Sequence, residues 1–514
     1  LVGSEMCIRD RKTNMTGFKL LLIISCCFGA ISCSASNVSD DSKEELNDKL
    51  ISLEKDTKSL IRNPCMGWGV YDDGFDGMQN AERYWSLQSD AANKYASFFY
   101  VRIFWSDLEP EQGKYAWEHN SNYKKLIKGA LDRGLKLAFR VYYDSRDDMR
   151  QATPDYVRQA GAAGYYTNDK WSPYPDDPVF QAKLNEFTKA FAAEYDNPDI
   201  VDFIDGYNIG LWGEGHTVIY KNGDSGENQK KTLDQITDIY ANNIKNVPLI
   251  ITFNCQVGYQ AEEEYVYPKG YGMRRDGLGS QWFTDTEKKI AQSQYGKRLL
   301  IGESCYWYVG RENIVDHLDF KPWGGDPVYN ENTTWRDVYQ LTYDTAINYH
   351  FNTLDLREIG DVEGWLRDAP ELVEKFMLRG GYRFFPARIE LPKIAKTGTT
   401  ITAVHHWVND ATGYLPNNMK SWNYKYKPAF ALLNENDEVV KIWIDEDSEP
   451  STWLYGKTYQ YEKKINLNDV APGEYRWAIG IIDKTRGNKP GIRLAIQNEK
   501  LVKGWSALRN VTIE

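Results

Sequence analysis

Short apolar segments alternate with amphipathic segments between residues 64 and 357. Most of these apolar segments are near-continuous, without the polar residue at every second position that a half-exposed strand shows. Such runs are typical of parallel strands that are buried on both faces. The predicted strands lie at 64–71, 97–104, 135–143, 201–209, 248–254, 271–275, 297–302 and 352–357.

The segments between these strands carry a helical pattern. Phe180, Leu184, Phe187 and Phe191 repeat at helical spacing and form one apolar stripe. Thr334 precedes another amphipathic segment and is a predicted N-cap. Eight strand–helix alternations predict an α/β fold, a (β/α)8 TIM barrel over residues 59–385.

The pattern changes after residue 385. Short strands now alternate apolar and polar residues, as in "EYRWAIGIID" (474–483), and turn sequences such as "NEND" and "APGE" separate them. Alternation of this kind predicts an antiparallel β-sandwich over residues 386–514.

The N-terminal 58 residues do not fit either domain. Residues 1–14 resemble a translated sequencing-adapter flank, and residues 15–33 have the short apolar core of a signal peptide. The ending "AISC" resembles a bacterial lipobox with Cys33 as the lipidated residue, and the polar segment 34–58 resembles the tether of Bacteroidetes-type lipoproteins. We therefore expect an exported protein, lipid-anchored to the outer membrane or cell surface; an ordinary secretory signal is the alternative.

Composition narrows the function classes. The net charge of −11 and the pI of about 5.3 argue against a nucleic-acid binder. The cysteines of the body, Cys65, Cys255 and Cys305, are widely spaced, which favours buried thiols and leaves one disulfide open. The six histidines show no metal-ligand spacing, so we predict no catalytic metal and no cofactor.

Two carboxylic acids follow predicted strands directly. Glu214, in "GLWGEGHT" (210–217), follows the fourth strand, and Glu303, in "LLIGESCYW" (299–307), follows the seventh. Active sites of such barrels lie at the C-terminal ends of the strands. A pair of carboxyl groups there, one protonated and one ionised, is what glycoside hydrolases commonly use to cleave a glycosidic bond.

Neighbouring residues suit this chemistry. Trp212 and His216 are expected to serve a protonated Glu214, Arg102 is expected to favour the ionised partner, and the glycines leave room for a bulky ligand. The structural alternative is that each acid caps a helix or pairs with an arginine, that Arg102 is a structural ion-pair partner, and that His216 only orders its loop.

Aromatic and cationic residues are the candidate substrate contacts. Aromatic residues near strand ends either stack on sugar rings or fill the core. Arginines near the mouth either bind an anionic sugar or form a solvated face. The aromatic candidates are Trp68, Trp105, Trp212, Tyr306, Trp307 and Trp365, and the arginines are Arg140, Arg146, Arg274 and Arg275.

The segment "VRIFWSDLEPEQGKYAW" (101–117) resembles the region after the second strand of clan A glycoside hydrolases. "NPCMGWG" (63–69), "GLWGEGHT" and the following sandwich resemble an uncharacterised bacterial family with a Trp-Gly-Glu-x-His-Thr motif. The clan A resemblance implies Glu214 as acid/base and Glu303 as nucleophile. Clan A enzymes usually carry Asn before the acid/base, whereas Gly213 stands here and the nearest asparagine is Asn208.

The sequence thus predicts a retaining glycoside hydrolase that acts on a poly- or oligosaccharide. A non-catalytic glycan-binding lipoprotein on the same barrel is the alternative. A structural surface protein, in which the sandwich makes the contacts, is a third interpretation.

Overall fold

The computed structural model describes residues 48–146, 150–308 and 320–514. The predicted flank (1–14), the predicted signal segment (15–33) with Cys33, and the tether up to residue 47 lie outside these ranges. The strands of the first part of the chain are β1 (Leu50–Ile51), β2 (Gly67–Asp72), β3 (Ala96–Phe104), β4 (Lys136–Tyr142), β5 (Gly164–Thr167), β6 (Lys170–Pro173), β7 (Val201–Asp205), β8 (Leu249–Thr252), β9 (Gly272–Leu278), β10 (Leu300–Ser304) and β11 (Thr353–Arg357).

Eight of these strands close into a barrel in the order β2, β3, β4, β7, β8, β9, β10, β11, and β11 then pairs with β2. Every neighbouring pair is parallel. All nine residues of β3 are buried, as expected of a strand covered on both faces. The predicted (β/α)8 barrel is confirmed, including its sixth strand, and β5 and β6 form a separate hairpin.

Helices follow the strands and cover the barrel. The predicted stripe of Phe180, Leu184, Phe187 and Phe191 is buried on one helix, and the Thr334 side chain accepts from the Asp337 N–H as the predicted N-cap. The helices are α1 (Ala81–Lys94), α2 (Trp105–Leu108), α3 (Ala116–His119), α4 (Ser121–Asp132), α5 (Asp155–Gln159), α6 (Pro178–Tyr195), α7 (Gly226–Asn243), α8 (Tyr259–Tyr265), α9 (Asp285–Gln294), α10 (Trp335–Asn348), α11 (Ile359–Asp368) and α12 (Pro370–Arg379).

The interior face of the barrel changes in character along the strands. On β3, Phe98, Tyr100 and Arg102 share one face because side chains alternate along a strand. Phe99 lies on the opposite face and packs on Trp85 of α1, with ring centroids 5.1 Å apart. The interior face therefore passes from apolar at the N-terminal end of the strand to charged at the C-terminal end.

The C-terminal part consists of two sheets. One has the order β1-β12-β14-β17, and the other has the path β13-β21-β18-β15-β16, with β19 on β18 and β20 on β21. Apart from β13 on β21, the neighbours in both sheets are antiparallel, and the predicted sandwich is confirmed. The strands are β12 (Phe384–Glu390), β13 (Ile394–Ala395), β14 (Thr400–Asn409), β15 (Tyr426–Leu433), β16 (Val439–Ile444), β17 (Thr458–Asn466), β18 (Gly473–Asp483), β19 (Lys489–Ile492), β20 (Leu501–Val502) and β21 (Trp505–Ile513).

The described end of the predicted tether belongs to this sandwich. Ile51 of β1 pairs with Ile389 of β12, and Lys55 forms a β-bridge with Ile496. Ile51 is buried, and Leu53 packs on the same core, a two-residue alternation that charged neighbours obscure in the sequence. Part of the predicted tether and linker (34–58) thus pairs with the sandwich, through residues 50–51 and Lys55.

The sandwich covers the N-terminal end of the barrel. One continuous apolar core joins Phe98 and Phe203 of the barrel interior to Phe384 and Trp407 of the sandwich. The amide of Asn352, just before β11, donates to the Tyr414 carbonyl over 2.8 Å, and Asn418 donates to the Lys297 carbonyl over 2.9 Å. The C-terminal ends of the strands lie at the opposite end.

Two further features bear on the predictions from composition. Cys65, Cys255 and Cys305 are free and buried, so the disulfide alternative does not hold for the described residues. In that part of the chain, helices fall short of the length and apolar character needed to cross a membrane.

Candidate active site

The loop after β7 positions Glu214 by a tight backbone path. Gly210 and Gly213 have φ of 76° and 71°, a region that glycine enters without strain. A Cβ on Gly213 would lie 2.9 Å from the Cβ of Tyr142, and one on Gly210 would lie 2.3 Å from the His216 carbonyl oxygen. These glycines allow the backbone to turn against β4. The interpretation that they leave room for a ligand was wrong.

Glu303, on β10, is held by three arginines. Its carboxylate accepts hydrogen bonds from Arg140 at 2.8 and 3.0 Å and from Arg274 at 2.8 Å, and Arg357 pairs with it at 3.4 Å. The Tyr71 hydroxyl donates to it over 3.3 Å. Burial raises the pKa of Glu303, but the charges of the arginines outweigh burial and lower it to about 2. Glu303 is therefore ionised at neutral pH.

Arg140 joins the two predicted acids. Its Nη1 donates to Glu214 over 3.0 Å, while its Nη2 donates to Glu303. Its side chain is fully buried between them. The structure thus brings the carboxyl groups from the fourth and seventh barrel strands onto one guanidinium group. Arg140 acts here as a bridge between acids and not as a surface contact for substrate.

Glu214 lies in a polar setting. Burial raises its pKa, but a hydrogen bond from His216, at 3.4 Å, and the charge of Arg140 outweigh burial and lower it. The other ring nitrogen of His216 lies 2.8 Å from the Thr217 hydroxyl. The expectation that Trp212 and His216 would keep Glu214 protonated was wrong, because His216 stabilises the carboxylate.

Asp276 is a site residue that the sequence prediction missed. It lies near the C-terminal end of β9 and pairs with Arg275, and burial together with the charge of Glu214 raises the pKa of its carboxyl. Its side chain is 24% exposed, so it reaches solvent at the barrel mouth. The sequence could have identified Asp276, because the sixth strand was predicted to end at Arg275 and Asp276 directly follows that end.

Several predicted aromatic contacts lie away from the mouth. Trp68 and Trp365 are fully buried with ring centroids 5.1 Å apart, and Trp105 is fully buried 5.1 Å from Phe187. Trp68 is three residues from Tyr71, so alternation turns it toward the helices instead of the barrel interior. As stacking platforms for substrate, these three tryptophans were predicted wrongly.

Tyr306 is also buried. Its hydroxyl donates to Asp326 over 3.0 Å, and its ring packs on Phe320 with centroids 5.1 Å apart. These contacts place Tyr306 in a small core with Cys305, Phe320 and Val338. The prediction that it contacts substrate was wrong as well.

Other aromatic rings remain accessible. Trp212 is 38% exposed and Trp282 is 47% exposed. Trp307 is half-buried, with the Arg357 guanidinium 4.1 Å from its ring centroid. The Trp282 carbonyl accepts a hydrogen bond from Arg275 over 2.8 Å, which places this residue beside Asp276. Trp282 was absent from the sequence prediction.

The predicted roles of two polar residues also change. Arg102 lies 4.7 Å from the ring centroid of Tyr142, and the arginines observed on Glu303 are Arg140, Arg274 and Arg357. Asn208 is buried, and its amide donates to the Asp205 carbonyl over 2.7 Å.

The remaining predicted arginines are paired. Arg146 pairs with Asp144 at 2.5 Å, Arg275 pairs with Glu287 at 3.0 Å as well as with Asp276, and Arg274 pairs with Asp205 at 2.8 Å. Each cationic group therefore has a carboxylate already in contact. This arrangement does not favour the interpretation that these arginines select an anionic sugar.

A separate cavity of about 1060 Å³ lies between residues 320–336 and Arg367–Asp368. Neither Glu214 nor Glu303 lines it. Among residues 48–146, 150–308 and 320–514, His, Cys, Asp and Glu side chains do not gather in a group of three that could hold a metal ion.

No family model and no curated protein matches this chain. Solved structures do match: a glycoside hydrolase family 5 enzyme from Prevotella bryantii at 11% identity covers 64% of this chain and 99% of its own, with a TM-score of 0.37. Xylanase B from Clostridium stercorarium, at 12%, covers 58% and 88% with a TM-score of 0.34. An endogalactoceramidase, at 12%, covers 75% and 93% with a TM-score of 0.39. Similarity at this level carries no argument about the activity of this chain.

Proposed function

We propose that this protein hydrolyses O-glycosidic bonds of a poly- or oligosaccharide with retention of anomeric configuration. The observation that carries the proposal is the placement of Glu214 and Glu303 on one guanidinium group at the C-terminal end of the barrel. Active sites of this fold lie at that end. Two adjacent carboxyl groups suit double displacement.

Glu303 has the properties of the nucleophile. It is ionised, and the three arginines hold its carboxylate in one orientation. In the proposed first step it attacks the anomeric carbon, the glycosidic C–O bond breaks, and the leaving oxygen keeps the bonding pair and takes a proton. In the second step, water attacks the glycosyl-enzyme and gives up a proton, which releases Glu303.

Glu214 has the position of the acid/base. It lies across the same guanidinium group from Glu303 and is less deeply buried. General acid–base catalysis needs a group within hydrogen-bond reach of the leaving oxygen. In the chain without substrate, Arg140 and His216 favour the ionised form of Glu214.

The test is product release from a panel of poly- and oligosaccharides by the wild-type chain and by Glu303→Gln. We expect the variant to lose about 10⁴-fold or more of kcat, as removal of a catalytic nucleophile does. Asp285→Asn, a change at an exposed residue of α9, is the matched control and should keep the wild-type rate. Equal rates for Glu303→Gln and wild type would contradict the assignment of the nucleophile.

A non-catalytic glycan-binding function is the second candidate. The observation that favours it is that both predicted acids are already in ion pairs with Arg140. Titration calorimetry of the wild-type chain with the same panel separates the two functions. Binding without product after long incubation would support the binding protein and contradict the hydrolase.

We also propose that the chain is exported and carries a lipid at Cys33. This proposal rests on the apolar segment 20–31 and the "AISC" ending. Expression in a Gram-negative host with labelled fatty acid should label the wild-type chain and not Cys33→Ser. Equal labelling of both chains would contradict the anchor.

A further inference from the structure

The backbone at Trp212 adopts a conformation that residues with a large side chain rarely take. Trp212 has φ of 56° and ψ of 10°, in the left-handed region. The Cβ atom crowds the backbone there, so the conformation costs free energy that a glycine would not lose. Gly210 and Gly213 of the same turn also have positive φ, but they are glycines. At position 212, a large side chain is thus kept against the preference of the backbone.

Trp212 is not a core residue. Its side chain is 38% exposed, whereas Trp105 is fully buried among aromatic rings. The Trp212 ring meets the His216 ring, which is itself partly exposed, with centroids 5.4 Å apart and planes inclined by 68°. Backbone strain that full burial does not offset is typical of functional sites. The strained and exposed ring therefore indicates a contact with a molecule outside the chain.

The position of Trp212 relates it to one of the two acids. Nη1 of Arg140 lies 3.0 Å from the Glu214 carboxylate and 3.4 Å from the Trp212 carbonyl oxygen. Nη2 of the same guanidinium group contacts Glu303 instead. The imidazole of His216 contacts the Trp212 ring, and its Nε2 lies 3.4 Å from Glu214. Trp212 thus lies on the Glu214 side of the guanidinium group, with a single imidazole between its ring and that acid.

We propose that Trp212 is the platform on which the leaving-group sugar of the substrate stacks. This inference rests on the proposed function, in which Glu214 gives a proton to the leaving oxygen. The sugar that carries this oxygen then lies beside Glu214 and not beside Glu303. A sugar ring has C–H groups on its face and hydroxyl groups at its rim, so it suits an aromatic face with a polar edge. His216, whose side chain is 40% exposed, provides that edge.

The platform defines the class of substrate more closely. Binding energy from parts of a substrate that do not react contributes to catalysis by positioning the reacting bond. If Trp212 holds the leaving-group sugar, the enzyme gains this energy only from substrates with a sugar on both sides of the cleaved bond. We therefore expect di- and longer oligosaccharides to be better substrates than glycosides with a small leaving group.

The backbone strain is tested through stability, which needs no glycan. Trp212→Gly and Trp212→Ala both remove the ring, so the difference between them reports the backbone. Glycine is usually the less stable of the two, because it loses more conformational freedom on folding. At φ of 56° this order should reverse, with Trp212→Gly melting about 1–3 °C above Trp212→Ala. Lys503, an exposed residue at φ of 49° between β20 and β21, should show the same reversal. A lower Tm for Trp212→Gly than for Trp212→Ala would overturn the strain.

Glycan binding tests the platform. Titration calorimetry with hexasaccharides of glucose, xylose, mannose or galactose units is done in the Glu303→Gln background, so that turnover does not consume the ligand. For a hexasaccharide that this parent binds, Trp212→Ala should weaken affinity about tenfold, and Trp212→Phe, which keeps a flat ring, should stay within about threefold. Tyr455→Ala removes an exposed ring of the sandwich and should leave affinity unchanged. Equal affinities of the parent and Trp212→Ala, or a parent that binds none of the hexasaccharides, would overturn the platform.

Kinetics then separates this inference from the proposed function. On a cleaved oligosaccharide, Trp212→Ala should lose about tenfold of kcat/KM. It should lose much less on a glycosyl fluoride of the same sugar, because fluoride is too small to reach the ring. Equal losses on both substrates would overturn the assignment to the leaving-group sugar. Product with an unchanged kcat/KM in Trp212→Ala would keep the hydrolase and overturn the platform. Binding that depends on the ring, without product from any glycan, would keep a sugar platform and reject the hydrolase together with the leaving-group assignment.

Discussion

At the N-terminal end of the barrel interior, Phe98 and Phe203 pack with ring centroids 5.4 Å apart, whereas at the C-terminal end Glu303 contacts three arginines. Both ends are buried. The first is continuous with the apolar core of the sandwich, and the second reaches solvent through Asp276 and Trp212.

The difference shows how one barrel separates stability from chemistry. Apolar packing lowers the free energy of the folded chain without selecting any ligand. Buried charges cost desolvation and stabilise the fold only when they are paired. A cluster in which carboxylates share their arginines is costly to keep for stability alone, and it lies where this fold places active sites. The sandwich packs on the apolar N-terminal end of the barrel, which has no such cluster, and adds to its stability.

The largest expected effect is on the apolar end. Phe203→Ala should lower the free energy of unfolding by about 3–5 kcal/mol, because it removes a buried ring and leaves a cavity. Catalysis by the folded fraction should stay within about twofold, because the contacts of the charged cluster remain. Urea unfolding and initial rates at a temperature where the variant is folded check both parts. A large loss of kcat with unchanged stability would reverse the roles of the two ends.

At the charged end, Arg140→Met should lower stability by about 3 kcal/mol, because it leaves Glu214 buried without its cation. The variant should also lose catalysis, since the orientation of both acids depends on this guanidinium. Arg388→Met, which removes a partly exposed pair with Glu390, is the control and should cost less than about 1 kcal/mol. Equal effects of the two substitutions on stability and rate would contradict the role of Arg140.

Acid should weaken the charged end specifically. The pKa of Glu303 is depressed to about 2 in the folded chain, so its contribution is full above the unfolded value near 4.3 and is lost as the pH falls toward 2. Its loss amounts to about 3 kcal/mol. Urea midpoints between pH 6 and pH 3 should fall less steeply for Glu303→Gln than for wild type. Parallel curves would show that Glu303 contributes no such stability.

The smallest expected effect concerns the exposed aromatics. Trp282→Ala should leave stability within about 0.5 kcal/mol, because the ring is 47% exposed. If the ring stacks on sugar, glycan affinity should fall about tenfold. Trp105→Ala is the matched buried change and should cost about 3–5 kcal/mol instead. Unchanged glycan affinity in Trp282→Ala would remove this residue from the site.

Much of the site follows from strand order and alternation. The fourth and seventh strands place Glu214 and Glu303 at one end of the barrel, and the sequence shows both positions. Alternation from Tyr71 also turns Trp68 toward the helices, a step that the sequence permits although the aromatic prediction did not apply it. The wrong aromatic assignments arose because a tryptophan near a strand end looks the same in either orientation.

The protonation state of Glu214, in contrast, was predicted wrongly from the sequence. A tryptophan and a histidine beside Glu214 in the sequence favoured a protonated acid. In the fold, the His216 ring donates to Glu214, and Arg140 arrives from β4, 74 residues away along the chain. Asp276 arrives from β9. The pKa of a buried carboxyl depends on which charges lie within a few ångströms, and those charges come from other strands.

The sequence by itself determined the closed parallel barrel, the sandwich and the end of the barrel at which the acids lie, because these follow from periodicity and strand order. Only the tertiary structure decided that Arg140 bridges the acids, that three arginines contact Glu303 and favour its ionised form, and that Asp276 lies at the same end of the barrel. The physical reason is range: a hydrophobic pattern is local along the chain, whereas electrostatic interactions join residues that only the closed barrel brings together.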